Sequence, residues 1–195
     1  MSRQVASAER RAHILDAAWA CFAEEGLPGI RVQAVSSRSG ASVGSLYHHF
    51  GDLGGLVLAL YRAALDDGFA ALREALRGAE DAEAGMRGMV RAWLGWVARE
   101  PVKARLIYDA SGSSLLAPHA DSIAAFKMQF YVEVAERMGP WIAAGQLRPL
   151  PLWALDPVVM GPAHEVARRW LLGAPLPMGE AADWIADAVW RSVRP

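Results

Sequence analysis

Apolar residues recur along this chain at helical spacing, and no stretch alternates convincingly with a period of two. Between Glu9 and Glu25, Ile14, Ala17, Ala18, Cys21 and Phe22 fall three and four apart, which aligns them on one face of a helix. Gly26 stops that helix and Pro28-Gly29 breaks the chain. Two short helices are predicted next, about Val32 to Ser39 and Val43 to His49, separated by Gly40-Ala41-Ser42. Gly40 can adopt the left-handed conformation that ends the first, and the Ser42 hydroxyl can cap the amides that begin the second. A long amphipathic helix from Leu53 to Arg77 carries Leu56, Leu60, Ala63, Ala64 and Leu72. Further helices are predicted at Glu83 to Arg99, Val102 to Ala110, His119 to Ala144, Pro157 to Leu172 and Gly179 to Val193, separated by proline- and glycine-bearing breaks. Asp156 before Pro157 reads as a helix start, a capping acceptor followed by proline at the first helical position. The pattern predicts an all-α protein of about nine helices, with a small N-terminal domain over residues 1–52 and a larger helical domain over 53–195.

Three short helices with a glycine-serine corner between the second and third satisfy the requirements of a helix-turn-helix, in which one helix braces the next in the major groove of DNA. Periodicity alone leaves an ordinary helical corner open. The run Gly40-Ala41-Ser42-Val43-Gly44-Ser45-Leu46-Tyr47-His48-His49-Phe50 sharpens the reading, because it strongly resembles the recognition segment of the TetR family of transcriptional regulators. The resemblance extends over about Glu9 to Leu60. It implies an N-terminal DNA-binding domain and a C-terminal domain that dimerises and encloses a pocket for a small inducer.

Residue roles follow from chemistry beside that resemblance. Leu46 and Phe50, four apart, are expected to pack the recognition helix onto its neighbours, and Gly44 to allow a close backbone approach. Ser42, Tyr47 and His49 suit phosphate contact, and Val43, Ser45 and His48 suit base edges or a thymine methyl. The bland alternatives are a solvated histidine pair and a half-buried packing tyrosine. Departures from the family pattern are Arg31 where a threonine or serine usually starts the second helix, Ser36 and Ser39 for alanines, and Leu53 for a lysine that commonly follows the recognition helix. Gly54 and Gly55 weaken the first turn of the next helix, and Arg31 and Arg38 are the expected replacements for the lost phosphate contact.

Charge changes the picture only modestly. The chain of 195 residues has a net charge of -1, 53% hydrophobic and 21% charged residues, enough for a substantial core and against disorder. In residues 1–50, Arg3, Arg10, Arg11, Arg31 and Arg38 oppose Glu9, Asp16, Glu24 and Glu25, one positive charge in excess. That is a thin electrostatic footprint for a DNA binder, and dimerisation would double it. Cys21, the only cysteine, sits in an apolar stripe and suits a reducing cytoplasm; the polar N-terminus and the lack of a membrane-length apolar run point the same way.

Large aromatic and thioether side chains concentrate in the C-terminal helices. Trp93, Trp96, Tyr108, Phe126 and Phe130 are candidates for lining an apolar or aromatic ligand's pocket, with His164 and Arg168, four apart, to orient it. Core packing is the competing reading for the aromatics, and pairing with Glu165 or Asp183 for the polar two. In the resembling family the last two helices form the homodimer interface, which carries over here to Val166, Trp170, Trp184, Ile185, Ala188 and Val189. Motifs of common enzymes are missing: no Gly-x-Ser-x-Gly, phosphate-binding loop, dinucleotide fingerprint or His-Glu-x-x-His occurs. No cofactor or metal is expected. The sequence thus predicts a DNA-binding repressor released from its operator by a small apolar or aromatic ligand, the alternative being a dimeric ligand-binding or interaction module that has lost DNA binding.

Overall fold

The computed structural model describes residues 3–195; Met1, Ser2 and the side chains of Arg3 and Gln4 lie outside the described part. Ten α-helices follow in order: α1 Arg3–Glu25, α2 Val32–Ser39, α3 Val43–Phe50, α4 Leu53–Arg77, α5 Ala82–Arg99, α6 Pro101–Ala110, α7 Ala120–Ala143, α8 Leu152–Leu155, α9 Gly161–Leu171 and α10 Met178–Val193. A π-helical turn, Asp156–Met160, joins α8 to α9 without a loop, so the described residues form nine helical segments and no strand. No helix among them is long and apolar enough to cross a membrane.

The chain divides into two compact units, residues 1–65 with 102–122, and 66–101 with 123–195. This partition by packing differs from the functional one expected at residue 52, because the first half of α4 buries Leu56, Val57, Leu60 and Tyr61 inside the first unit. There, the predicted stripe of α1 is wholly buried, Ile14, Ala18 and Phe22 completely so. Arg105 of α6 stacks its guanidinium 4.9 Å above the Phe22 ring and donates to the Phe22 carbonyl at 2.9 Å, a second donor beside the Gly26 amide and a positive charge at the C-terminal end of α1. Ala63, read as part of the buried stripe of α4, is exposed instead, since the burial follows the Leu56, Leu60 and Ala64 row.

Gly54 and Gly55 have a different meaning from the one expected. Asp52 accepts from the Gly55 amide at 2.7 Å and so caps α4. A Cβ on Gly54 would sit 2.7 Å from the Leu115 carbonyl oxygen, and one on Gly55 would run into that of Phe50. Gly55 lets the backbone of α4 close against the end of α3, and Gly54 against the segment after α6, which a helix-propensity argument does not see.

In the second unit α10 packs along α5, and α9 closes on both. Arg87 pairs with Glu83 at 2.7 Å and with Asp187, and Arg91 with Asp183 at 2.7 Å, along the rim of the α5–α10 contact. Asp156-Pro157 does not start a helix as predicted; it lies within a helical run that begins at Leu152. Asp156 has helical angles, φ -63° and ψ -55°, and its side chain is engaged elsewhere instead of capping. The π turn has a local cause. Pro162 has no amide to donate to Val158 four residues earlier, and the Gly161 amide bonds to Asp156, five back.

Packing at Gly55 gives an outcome opposite to propensity. Gly55→Ala is expected to destabilise the protein by about 1–3 kcal/mol through backbone displacement, whereas Gly88→Ala, whose Cβ would meet only Ala75 at 3.6 Å, is expected to be neutral or stabilising by up to about 1 kcal/mol. Urea unfolding followed by circular dichroism checks both; equal effects would refute the close-approach argument.

Candidate functional site

The corner between α2 and α3 is built by its own short polar side chains. Gly40 takes φ 65° and ψ 8°, the left-handed region, and Ser42 in extended conformation accepts from the Ser45 amide at 3.2 Å. Ser36 and Ser39, the departures from the family's alanines, close the corner: Ser36 Oγ donates to the Ala41 carbonyl at 2.7 Å, Ser39 Oγ donates to the Val35 carbonyl at 2.7 Å and accepts from the Ala41 amide at 3.2 Å. Buried Val35, Ala41 and Leu46 then fix α3 against α2. Gly44 does not serve the close approach expected of it, since a Cβ there would meet nothing nearer than Ser42 Oγ at 3.9 Å.

Burial divides α3 into two faces. Leu46 faces inward, and Phe50 is half-buried beneath the Arg11 guanidinium at 5.2 Å. Ser42, Val43, Tyr47 and His48 are exposed, with Tyr47 at 47%, which favours a contact residue over a packing one; Ser45 and His49 are half-buried. Leu53, in place of the expected lysine, lines a small cleft with Val32, Leu46, Tyr47 and Phe50 and so packs against the foot of the recognition helix.

Cations are placed differently from the reading of the sequence. Arg31 pairs with Glu25 at 2.9 Å and Arg38 with Glu24 at 2.7 Å, so both expected phosphate ligands are tied to the acidic end of α1. In the N-terminal half of the same helix, Arg10 and Arg11 lie near His49, whose ring is 5.2 Å from that of His48. Burial first, then the positive neighbours His48, Arg11 and Arg10, hold His49 below the usual histidine range. The sequence offered Arg10 and Arg11 only as counted charges, because their approach to α3 is tertiary.

The second unit contains a closely packed apolar cavity of about 30 Å³, room for a water-sized group until its walls move apart. Of the predicted ligand residues, Trp93, Phe130 and His164 line it. Phe126 lies behind the wall, its ring 6.2 Å from Phe69, which itself stacks on Phe130 at 4.0 Å. Trp96 is beside Trp93 at 5.0 Å, but its indole donates to Asp67 at 3.1 Å. Tyr108 belongs to α6 in the other unit, and Arg168 is exposed and paired with Glu165 at 2.8 Å; neither lines the cavity.

Two polar residues of the lining escaped the sequence reading. His164 Nε2 lies 3.4 Å from Asp156 Oδ1, and its ring stands edge-on to Trp93 at 5.0 Å. Burial pushes the Asp156 carboxyl up, but His164, Lys127 and the Tyr131 hydroxyl together outweigh it and hold Asp156 below its ordinary range. Asp156 was misread because an Asp-Pro pair looks the same at a helix start and inside a bent helix.

The candidate interface residues divide as well. Trp184 is 66% exposed, Ala188 is exposed, and Val166, Trp170 and Ile185 are half-buried, with Leu172 beside them 81% exposed. Val189 is a correction: at 1% exposure it faces inward on α10 and packs the core of its own unit. No group of three or more potential metal ligands occurs among the described residues.

Comparison with known proteins agrees with this geometry. Residues 14–60 match the family described as bacterial regulatory proteins, tetR family. The chain is 37% identical over 81 residues to the HTH-type transcriptional repressor KstR2 of Rhodococcus jostii, covering 42% of this chain and 40% of that one. It is 39% identical over 84 residues to the HTH-type transcriptional regulator BetI of Burkholderia mallei, 43% of each. The match thus spans about two fifths of the length of these curated relatives. The whole fold is similar to a TetR family transcription regulator of Marinobacter aquaeolei, with a TM-score of 0.77 at 20% identity, covering 100% of this chain and 99% of that one. The serine-capped recognition helix braced on α2 thus lies within residues 14–60, the segment that matches the tetR family of bacterial regulatory proteins, and the fold of the chain is similar to that of solved members.

Proposed function

We propose that the protein is a DNA-binding transcriptional repressor that acts as a homodimer and leaves its operator when a small apolar ligand enters the cavity beside Trp93. The carrying observation is the outer face of α3, where Val43, Tyr47 and His48 stand exposed on a helix whose inner face is fixed by Leu46. Val43, Ser45 and His48 read base edges; Ser42, Tyr47 and His49 hold phosphates, aided by Arg31 and Arg38 and joined by Arg10 and Arg11. Two copies, apposed through Trp184, Ala188, Ile185, Trp170 and Val166, place two recognition helices about 34–36 Å apart in successive major grooves. Helix α4 carries Phe69 and Leu72 in the cavity wall and Leu53 beside Tyr47 and Phe50, so a ligand that shifts α4 changes that spacing. No catalysis is needed in this scheme.

The pairing of Arg31 and Arg38 with glutamates supports a second reading, a dimeric ligand-binding module with weak or lost DNA binding. Mobility shift against the region upstream of the protein's own gene separates the two. Specific binding weakened about tenfold by Tyr47→Ala, the size of one lost hydrogen bond of roughly 1–1.5 kcal/mol, is the expected result; no specific complex at any salt concentration selects the second reading.

Exposed ion pairs are weak, roughly 0–1 kcal/mol, so a phosphate can compete for their arginines. Glu24→Gln combined with Glu25→Gln is therefore expected to tighten DNA binding several-fold at low salt. Arg11→Gln is expected to lower the slope of log affinity against log salt by about 0.9, the value for one phosphate contact. Titrations from 50 to 300 mM salt measure both, and an unchanged slope would remove Arg11 from the interface.

His49 supplies a pH dependence whose sign is fixed. Its depressed proton affinity leaves it neutral in the free protein at pH 7.5, and an approaching phosphate raises that affinity. DNA binding consequently strengthens as the pH falls from 7.5 to 6, and His49→Gln flattens this dependence. Anisotropy titrations at fixed ionic strength check it; an identical profile in the variant rules out His49 as the source.

A further inference from the structure

The cavity has a single polar corner. Its walls are apolar, with the ring of Phe130, the indole of Trp93 and the thioethers of Met89, Met138 and Met160, while the polar side chains in its lining are Asp156, His164 and Tyr131. Asp156 and His164 are eight residues apart on one helical run. In a straight α-helix, eight residues rise about 12 Å, too far for an aspartate and a histidine to meet. The 3.4 Å separation observed requires the bend at the π turn and Pro162. The bend therefore assembles a polar pair in the wall of an otherwise apolar space.

The charge of this corner limits what it accepts. Asp156 is held ionised and faces Lys127 as well as His164 and Tyr131. An anionic ligand brought there would be repelled by the carboxylate, and a cationic one, though drawn to it, by the lysine that already faces it. A hydroxyl avoids both penalties, because it donates to a carboxylate oxygen and accepts from an imidazole or phenol at the same time. Apolar walls of flat rings and deformable methionines suit a flat hydrocarbon body.

We propose that the cavity takes a neutral, flat apolar molecule bearing one hydroxyl, with its oxygen seated between Asp156, His164 and Tyr131. This rests on the ligand-cavity reading above and adds the chemical class. It makes the polar corner a selector: the body supplies affinity, and the corner decides which end group is admitted.

Calorimetric titration of the full chain with 2-naphthol, naphthalene and 2-naphthoate at pH 7.5 tests it. The expected order is 2-naphthol tighter than naphthalene by about tenfold, one to two hydrogen bonds, with 2-naphthoate weakest. His164→Leu is expected to abolish the preference for 2-naphthol over naphthalene. Asp156→Asn is expected to raise 2-naphthoate affinity. Tyr131→Phe, which leaves the wall in place, is expected to cut the preference several-fold and serves if the other variants fail to fold. Equal binding of 2-naphthol and naphthalene, or tightest binding of 2-naphthoate, overturns the proposal and leaves the cavity standing. Failure of all three to bind takes the ligand-cavity reading down with it.

Discussion

Among the described residues no charged side chain is buried, so the fold is held by apolar helix packing, and most polar side chains find their partners at a rim or on the backbone. Much of the rest follows from this constraint. Arg105 lays its guanidinium over Phe22 and bonds a helix-end carbonyl instead of entering the core. Arg137 does the same over Trp141 at 4.9 Å, donating to the Ala79 carbonyl at 3.1 Å. Where helices must come closer than side chains allow, glycine replaces them: Gly85 meets the Trp141 ring, and Gly68 lies 2.8 Å, from where its Cβ would be, to the ring of Trp93.

An apolar core also explains which parts could be read from sequence. The stripe of α1 and the Gly40-Ala41-Ser42 corner are local: spacing puts Ile14, Ala18 and Phe22 on one face whatever surrounds them, and a serine two residues after a left-handed glycine caps the helix that follows. The candidate site is local only in part. Tyr47 and Val43 are exposed because Leu46 is buried, which is a statement about one helix. Arg31 and Arg38 depend on Glu25 and Glu24, the latter 14 residues from its partner, and such a pairing has no periodic signature. Gly54 and Gly55 likewise look like defects until the carbonyls of Leu115 and Phe50 are in place.

The misread helix start at Asp156 shows the limit most clearly. Local rules make Asp-Pro a boundary, because a residue before proline is pushed away from helical angles. Here Leu155 and Asp156 stay helical, with Leu155, Val159 and Met160 buried on either side of the prolines. Burial of those side chains outweighs the local preference, and the conflict is absorbed as a π turn instead of a break. A helix that ended at Asp156 would point its carboxylate at the next amides; a helix that bends there points it at His164.

This changes how the cavity should be regarded. A dry aromatic pocket is what apolar helices leave between them by default, and its lining alone says little about selectivity. The Asp156–His164 contact is different, since it exists only because the helix bends, and the bend costs a backbone hydrogen bond that Pro162 cannot make. In a fold that keeps charged side chains out of its interior, a polar pair assembled at such a cost beside Trp93 sets that part of the wall chemically apart from the rest. The same helical run continues without a loop into α9, which carries Val166 and Trp170.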